Sequence, residues 1–180
     1  MKRRYMAILI TAFTATLALQ GCQQGPDRAK IQADITKAQA DGEKVIADAQ
    51  ANMDKVIAQN TKDLVHAKVD ARTDANAAVA DGKSAPTSAD NPPATVPPAS
   101  EAVAKARMEA NDKSADAQYE VDKAKGNADY NVALARCEAQ TGDALNACKE
   151  SAKAKYDAAM VEAKNRNDAA HKANQAPSNG

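Results

Sequence analysis

The sequence predicts an all-α protein: a long single helix, then a Pro-rich linker, then an antiparallel helical hairpin. Residues 27–82 contain no proline, whereas residues 83–100 hold five of the seven prolines and separate two helical parts. Aromatic residues make up only 3% of the chain, and alanine supplies most of its apolar side chains. Such a sequence offers too little apolar area for a compact globule, so extended helices are expected.

Residues 1–21 have the organisation of a secretory signal peptide. Lys2, Arg3 and Arg4 form a positive start, residues 6–19 are mostly apolar, and no acidic residue precedes Asp27. The apolar stretch is too short for a stable membrane-spanning helix. Without this segment the chain carries 21 basic and 24 acidic residues, a net charge of about −3. This charge argues against binding to nucleic acid, whose phosphates require a basic face.

The signal ends in LQGC, residues 19–22, which resembles the lipobox of bacterial outer-membrane lipoproteins. Leu19, Gly21 and Cys22 match the aliphatic, small and cysteine positions. The resemblance implies that Cys22 carries acyl chains such as palmitate and becomes the first mature residue, with residues 22–26 as a tether. Because Gln23 replaces the Asp that favours inner-membrane retention, it implies an anchor in the outer membrane, facing the periplasm. The lipid is the only covalent group expected, with no other cofactor and no metal.

The predicted long helix spans residues 27–82, with Asp27 suited to its first turn. Blocks of eleven residues align over residues 33–65, and eleven residues make about three helical turns, so the aligned side chains form one stripe. The blocks resemble, in period and composition, the repeats of late-embryogenesis proteins and lipid-surface helices. The stripe either packs against another helix, as in a coiled coil within or between chains, or lies on a membrane surface. It consists of Ile35, Ile46, Met53, Ile57 and Leu64.

This stripe is too sparse to stabilise the long helix unaided, so the helix depends on packing against a partner. Few tertiary contacts within one chain would indicate that the partner is missing. Gly42 in this helix and Gly126 in the second helical part indicate either a bend or a close approach of a neighbouring helix.

The second helical part is predicted over residues 101–172, with Ser100 as its N-cap and residues 173–180 as a disordered tail. The eleven-residue period continues over residues 106–138, where two tyrosines align, and three tyrosines extend the packing stripe. A turn is predicted near residues 141–143. The tyrosines of the stripe are Tyr119, Tyr130 and Tyr156.

The two remaining cysteines predict a disulfide that staples this hairpin. In the oxidising periplasm implied by the lipobox, Cys137 and Cys148 form a pair with no odd thiol. Eleven residues rise roughly 16 Å in a continuous helix, whereas disulfide-bonded Cα atoms lie within about 7 Å. The helix must therefore break between them, with Gly142 ending one helix and Asp143 capping the next.

A bond centred there places Tyr130 opposite Tyr156 and Gly126 opposite Ala159 or Met160.

The same region resembles a group of uncharacterised Ala/Lys-rich periplasmic proteins of proteobacteria. The residues that carry the likeness are the RC pair, a glycine five residues on, and a second cysteine followed by lysine; they cover about the last third of the chain. The resemblance implies a periplasmic hairpin and no reaction. These residues are Arg136, Cys137, Gly142, Cys148 and Lys149.

No catalytic constellation is recognisable in the sequence. His66 and His171 lie in different segments and are interpreted as exposed helix histidines, and two cysteines alone do not complete a zinc site. We therefore predict a non-enzymatic, periplasm-facing lipoprotein that acts as a helical spacer or scaffold. It would bind protein partners or further copies of itself through helix faces, and neither nucleic acid nor a small-molecule substrate. The alternative is a partly disordered, protective or membrane-surface-binding stress protein.

Overall fold

A computed structural model describes residues 27–80 and 98–175 of the chain. These residues form three helices and no strand: α1 (Arg28–Ala80), α2 (Pro98–Cys137) and α3 (Gly142–Gln175). The predicted all-α class with a disulfide-linked hairpin is confirmed. The signal segment with Cys22, most of the Pro-rich linker and the end of the tail lie outside the described residues.

Helix α1 begins immediately after an aspartate cap. Oδ1 of Asp27 accepts a hydrogen bond from the backbone N–H of Ala29 at 3.0 Å, and the Asp27 carbonyl accepts one from Ile31 at 3.0 Å. Asp27 therefore precedes the first turn, where it satisfies backbone donors that have no partner within the helix. The helix runs for 53 residues, which corresponds to about 80 Å.

Helix α1 packs antiparallel along α2. Asn60 of α1 lies beside Ala110 of α2, whereas Gly42, which is earlier in α1, lies beside Ala128, which is later in α2. The interpretation of the α1 stripe as packing against another helix holds within the chain, because α2 is the packing partner of α1. A Cβ atom on Gly42 would lie 2.7 Å from Cβ of Ala128, so the glycine marks a close approach of the two backbones.

Helices α2 and α3 form the predicted hairpin. The disulfide joins Cys137, the last residue of α2, to Cys148 in the second turn of α3, with their Cα atoms 5.6 Å apart. Helix α2 ends earlier than the predicted break, and the backbone N–H of Gln140 donates to the Cys137 carbonyl at 2.9 Å. Gly142 therefore opens α3, with a positive φ of 59°, and does not end α2.

The start of α2 also differs from the expectation. The helix begins at Pro98, so Ser100 lies within its first turn and is not the N-cap. Proline is favourable at a first helical position because its fixed φ suits the helix and its missing N–H would have no partner there. Glu101 adds a negative charge near this positive helix end.

The three helices form a flat layer with α2 in the middle. Ser114 of α2 bonds to Asn60 of α1, whereas Asp116, two residues further on, bonds to His171 of α3. Two residues correspond to about 200° around a helix axis, so α1 and α3 pack on opposite sides of α2. Within the described ranges α1 and α3 do not touch each other.

The buried apolar residues lie mainly along α2, because only this helix is covered on two sides. Val121 and Cys137 are each 1% exposed and are the largest fully buried side chains among the described residues. The remaining buried residues of α2 are small, which permits close approach of the neighbouring helices. The other buried residues of α2 are Ala117, Ala124, Gly126 and Ala128.

Candidate functional site

The disulfide turn closes one end of the layer. Cys137 is almost completely buried, and Lys149 forms an ion pair with Glu138 across the turn, with its Nζ 3.2 Å from Oε1. The antiparallel register of α1 on α2 brings the beginning of α1 to this same end. Ile31, close to that beginning, is only 9% exposed. The turn and the first residues of α1 thus make up the end of the layer nearest to Cys22 along the chain.

The α2–α3 seam contains the predicted tyrosine pair. The ring centroids of Tyr130 and Tyr156 lie 5.0 Å apart, with the ring planes tilted by 32°. One turn before Tyr130, a Cβ atom on Gly126 would overlap Met160 and contact Ala159, as the hairpin register predicted. The glycine allows α3 to approach α2 closely beside the aromatic pair.

Tyr119 lies further along the same seam. Nζ of Lys123 is 5.1 Å from the Tyr119 ring centroid, which is a cation–π distance, and the same lysine pairs with Glu120. The Glu120 carboxylate raises the pKa of Lys123. Tyr119 is half-buried and serves as a packing residue.

The predicted stripe on α1 lies partly within the α1–α2 seam. Ile35 and Ile46 are half-buried, whereas Ile57 is 44% exposed. The buried and half-buried positions of α1 recur every three or four residues and include Met53, Val56 and Asn60, so Val56 takes the seam position next to Ile57. The steps average about 3.6 residues per turn, which keeps the seam on one side of a straight helix. The remaining members, Met53 and Leu64, are half-buried.

A polar residue lies in the middle of this seam. Asn60 is 6% exposed, and its Nδ2 donates to the Ala110 carbonyl at 2.8 Å and to Oγ of Ser114 at 3.0 Å. Ser114 in turn donates to the Ala110 carbonyl at 2.8 Å. The Asn60 amide, the Ser114 hydroxyl and the Ala110 carbonyl therefore satisfy one another. Because Asn60 is the only buried polar residue among those described, this bond favours the observed register of α1 on α2.

A second polar cluster lies on the α2–α3 seam, at the end remote from the disulfide. Nδ1 of His171 is 2.8 Å from Oδ1 of Asp112, and Nε2 is 2.8 Å from Oδ1 of Asp116. Asn167 donates to Asp116 at 3.0 Å, and Asn174 donates to Asp112 at 2.9 Å. The two aspartates are one turn apart on α2 and are bridged by three residues of α3. We call these five residues the polar clasp.

The charges of the clasp shift its titration. The hydrogen bond to Asp116, together with the bond to Asp112, raises the pKa of His171 against a smaller opposing effect of burial. The hydrogen bond from Asn167, and then that from His171, lower the pKa of Asp116. The interpretation of His171 as an exposed helix histidine is wrong, whereas His66 is exposed on α1.

Sequence reasoning missed the clasp although the register contained a signal for it. Reflection of the chain across the centre of the hairpin, which brings Tyr130 next to Tyr156, also places His171 opposite Ser114 or Ala115. Both positions lie between Asp112 and Asp116. A histidine reflected between two acids one helical turn apart is therefore detectable from sequence once the disulfide is assumed.

A surface depression with a volume of about 490 Å³ lies between α2 and α3. Its walls carry asparagine, alanine and one serine, and the Ser114 hydroxyl is already used by Ala110 and Asn60. Across the described helices, no group of three or more His, Cys, Asp or Glu side chains is arranged to hold a metal ion. None of these helices contains a stretch that is apolar and long enough to cross a membrane.

Comparisons with protein-family models, with curated proteins and with solved structures found no match to this chain.

Proposed function

We propose that the protein is a non-enzymatic scaffold or spacer, anchored through lipid on Cys22 to the outer membrane and facing the periplasm. The observation that carries the proposal is the flat three-helix layer. Because α2 is covered by α1 on one side and α3 on the other, both broad faces of the layer remain open to partners. Helix α2 alone accounts for about 60 Å of length.

The layer has a direction relative to the proposed anchor. Cys22 precedes Asp27 by five residues, a span of at most about 18 Å. The disulfide turn lies at the same end as the start of α1, so the anchor would hold this end close to the membrane. The polar clasp and the beginning of α2 would then project into the periplasm, which suits a spacer.

The anchor is tested by the change Cys22→Ser. Loss of palmitate labelling and release from the membrane fraction are expected, since the acyl chains supply the attachment. Cys137→Ala with Cys148→Ala is the matched control: it removes the other two cysteines and should leave labelling and fractionation unchanged. Palmitate that still labels the Cys22→Ser protein would refute the lipoprotein assignment.

The scaffold role is tested by site-specific photocrosslinking in cells. Val65 and Val69 are more than half exposed and four residues apart on α1, and Val161 is 60% exposed on α3. A photoreactive residue at a partner-binding face should give a discrete crosslinked species, which is lost in the Cys22→Ser background. No crosslink from either helix would contradict binding through these faces.

Circular dichroism separates this role from that of a protective, partly disordered protein. The Cys22→Ser chain should be strongly helical in dilute buffer, because its seams and the buried Asn60 are satisfied within one chain. A chain that is mostly coil and becomes helical only with lipid vesicles or low water would support the protective role instead.

A further inference from the structure

The polar clasp joins the last turns of α3 to α2 through a histidine placed between two carboxylates. Each ring nitrogen of His171 lies 2.8 Å from a carboxylate oxygen. A neutral imidazole has one N–H and one lone pair, so it can donate to only one of the two aspartates. Only the imidazolium form can donate to both Asp112 and Asp116.

We propose that His171 is a pH-operated latch, which closes the open end of the α2–α3 hairpin when protonated and releases it when neutral. The disulfide holds one end of this hairpin covalently, whereas the other end, near Gln175, has no covalent tie within the described chain. The proposal concerns the fold alone and does not depend on the proposed function.

The charged groups around His171 favour this behaviour. From α2 the facing groups are Asp112 and Asp116. On α3 the neighbouring charges are Asp168, which is paired with Lys164, and Lys172. Helix α1 packs on the opposite side of α2. Loss of the imidazolium proton therefore leaves two carboxylates one turn apart without a cation between them, and the lone pair of one ring nitrogen faces one of them.

The sign of the pH dependence follows from the two shifts. The pKa of His171 is raised on folding, so its contribution to stability is complete below the ordinary histidine value of about 6.5 and is lost as pH rises through the folded pKa. The pKa of Asp116 is lowered, so its contribution is present above about 3.9 and is lost as pH falls through its folded pKa. The latch is therefore closed between the folded pKa of Asp116 and the folded pKa of His171, and it opens as the pH rises through the latter.

Nuclear magnetic resonance of the full-length protein tests the latch. The imidazole signal of His171 should titrate with a midpoint above about 6.5, and that midpoint should fall in the Asp112→Asn, Asp116→Asn variant. The parent protein should be compared at roughly two pH units below and two pH units above this midpoint. At the higher pH, the α-carbon chemical shifts of residues 169–175 should lose helical character. Their amide hydrogens should also exchange faster than the intrinsic effect of pH on exchange accounts for.

Three substitutions separate the latch from a general pH effect. His171→Arg supplies a permanent cation whose planar fork offers several donors, so this end should stay helical on both sides of the parent midpoint. His171→Gln carries no titrating group and should remove the pH response. His66→Gln, the matched control on α1, should leave the response intact.

Equal hydrogen-exchange protection of residues 169–175 on both sides of the His171 titration midpoint would overturn the proposal. A pH response that persists in the His171→Arg variant would overturn it as well. A titration midpoint of His171 that does not move when both aspartates are replaced would also refute it.

Discussion

Replacement of Val121 by alanine tests whether α1 truly covers α2. Val121 is 1% exposed and lies on the side of α2 that carries Ser114 and Ala128, both of which contact α1. If α1 were detached, this valine would be exposed to solvent. Val161 on α3 is the matched control, because it is 60% exposed and accepts the same substitution.

The Val121→Ala variant should lose stability, whereas the Val161→Ala variant should not. The Val121→Ala change removes two buried carbons, at about 0.8 kcal/mol each, and leaves a small cavity that adds to the loss. Alanine regains about 0.5 kcal/mol of helix propensity over valine. The net destabilisation of Val121→Ala should therefore be about 1–2 kcal/mol, whereas Val161→Ala should be neutral or stabilised by a few tenths of a kcal/mol.

Urea unfolding followed by far-ultraviolet circular dichroism measures both values in the full-length, oxidised protein. If α1 separates from α2 before the hairpin unfolds, the loss from Val121→Ala should appear in the first transition. Equal midpoints for Val121→Ala and Val161→Ala would refute the packing of α1 on α2.

Three further substitutions or treatments test the seams. Reduction of the disulfide should lower the melting temperature of the hairpin, since closing a loop of this length contributes about 3 kcal/mol in the chain-entropy model; protein that already lacks both cysteines should not respond to the thiol. Gly42→Ala should destabilise despite its gain in helix propensity, because the new Cβ would lie 2.7 Å from that of Ala128, and unchanged or higher stability would contradict the close approach. Asn60→Ala should cost about 1 kcal/mol or more in urea unfolding, whereas the exposed Asn52→Ala control should cost little; equal effects would mean that Asn60 is not buried between the helices.

The hairpin was predictable in detail because a covalent constraint fixes its register. Once Cys137 and Cys148 are paired, residues 110–137 of α2 have reflected positions on α3, and the tyrosine pair follows directly. The first and last residues of the turn were harder to predict from the sequence. The helical propensity of Glu138, Ala139 and Gln140 favours continuation of α2, but the helix ends at Cys137 and the next residues form a turn, in which the backbone N–H of Gln140 donates to the Cys137 carbonyl.

The packing of α1 on α2 was not predictable from its apolar stripe. The eleven-residue alignment placed Ile57 in line with Ile46, whereas the seam of a straight helix follows 3.6 residues per turn and passes through Val56. A repeat of similar residues therefore located the correct side of α1 but not the individual contacts. The partner side of α2 gave little hydrophobic signal, since it consists largely of alanine.

Two positions of α1, Asn60 and Gly42, supply specificity that the alanines of the seam lack. Residues 81–97 join α1 to α2, and the cost of closing a connection of this length changes slowly with length, so the connection alone permits neighbouring registers. A slip of α1 by one turn would leave alanine at many of the contacting positions of α2, but it would move Gly42 away from Ala128. The same slip would separate Asn60 from Ser114 and the Ala110 carbonyl, and a buried amide left without a partner costs about 1–3 kcal/mol. The hydrogen-bonded Asn60 and the close approach at Gly42 therefore specify the register of the α1–α2 seam, whereas a disulfide specifies that of the α2–α3 seam.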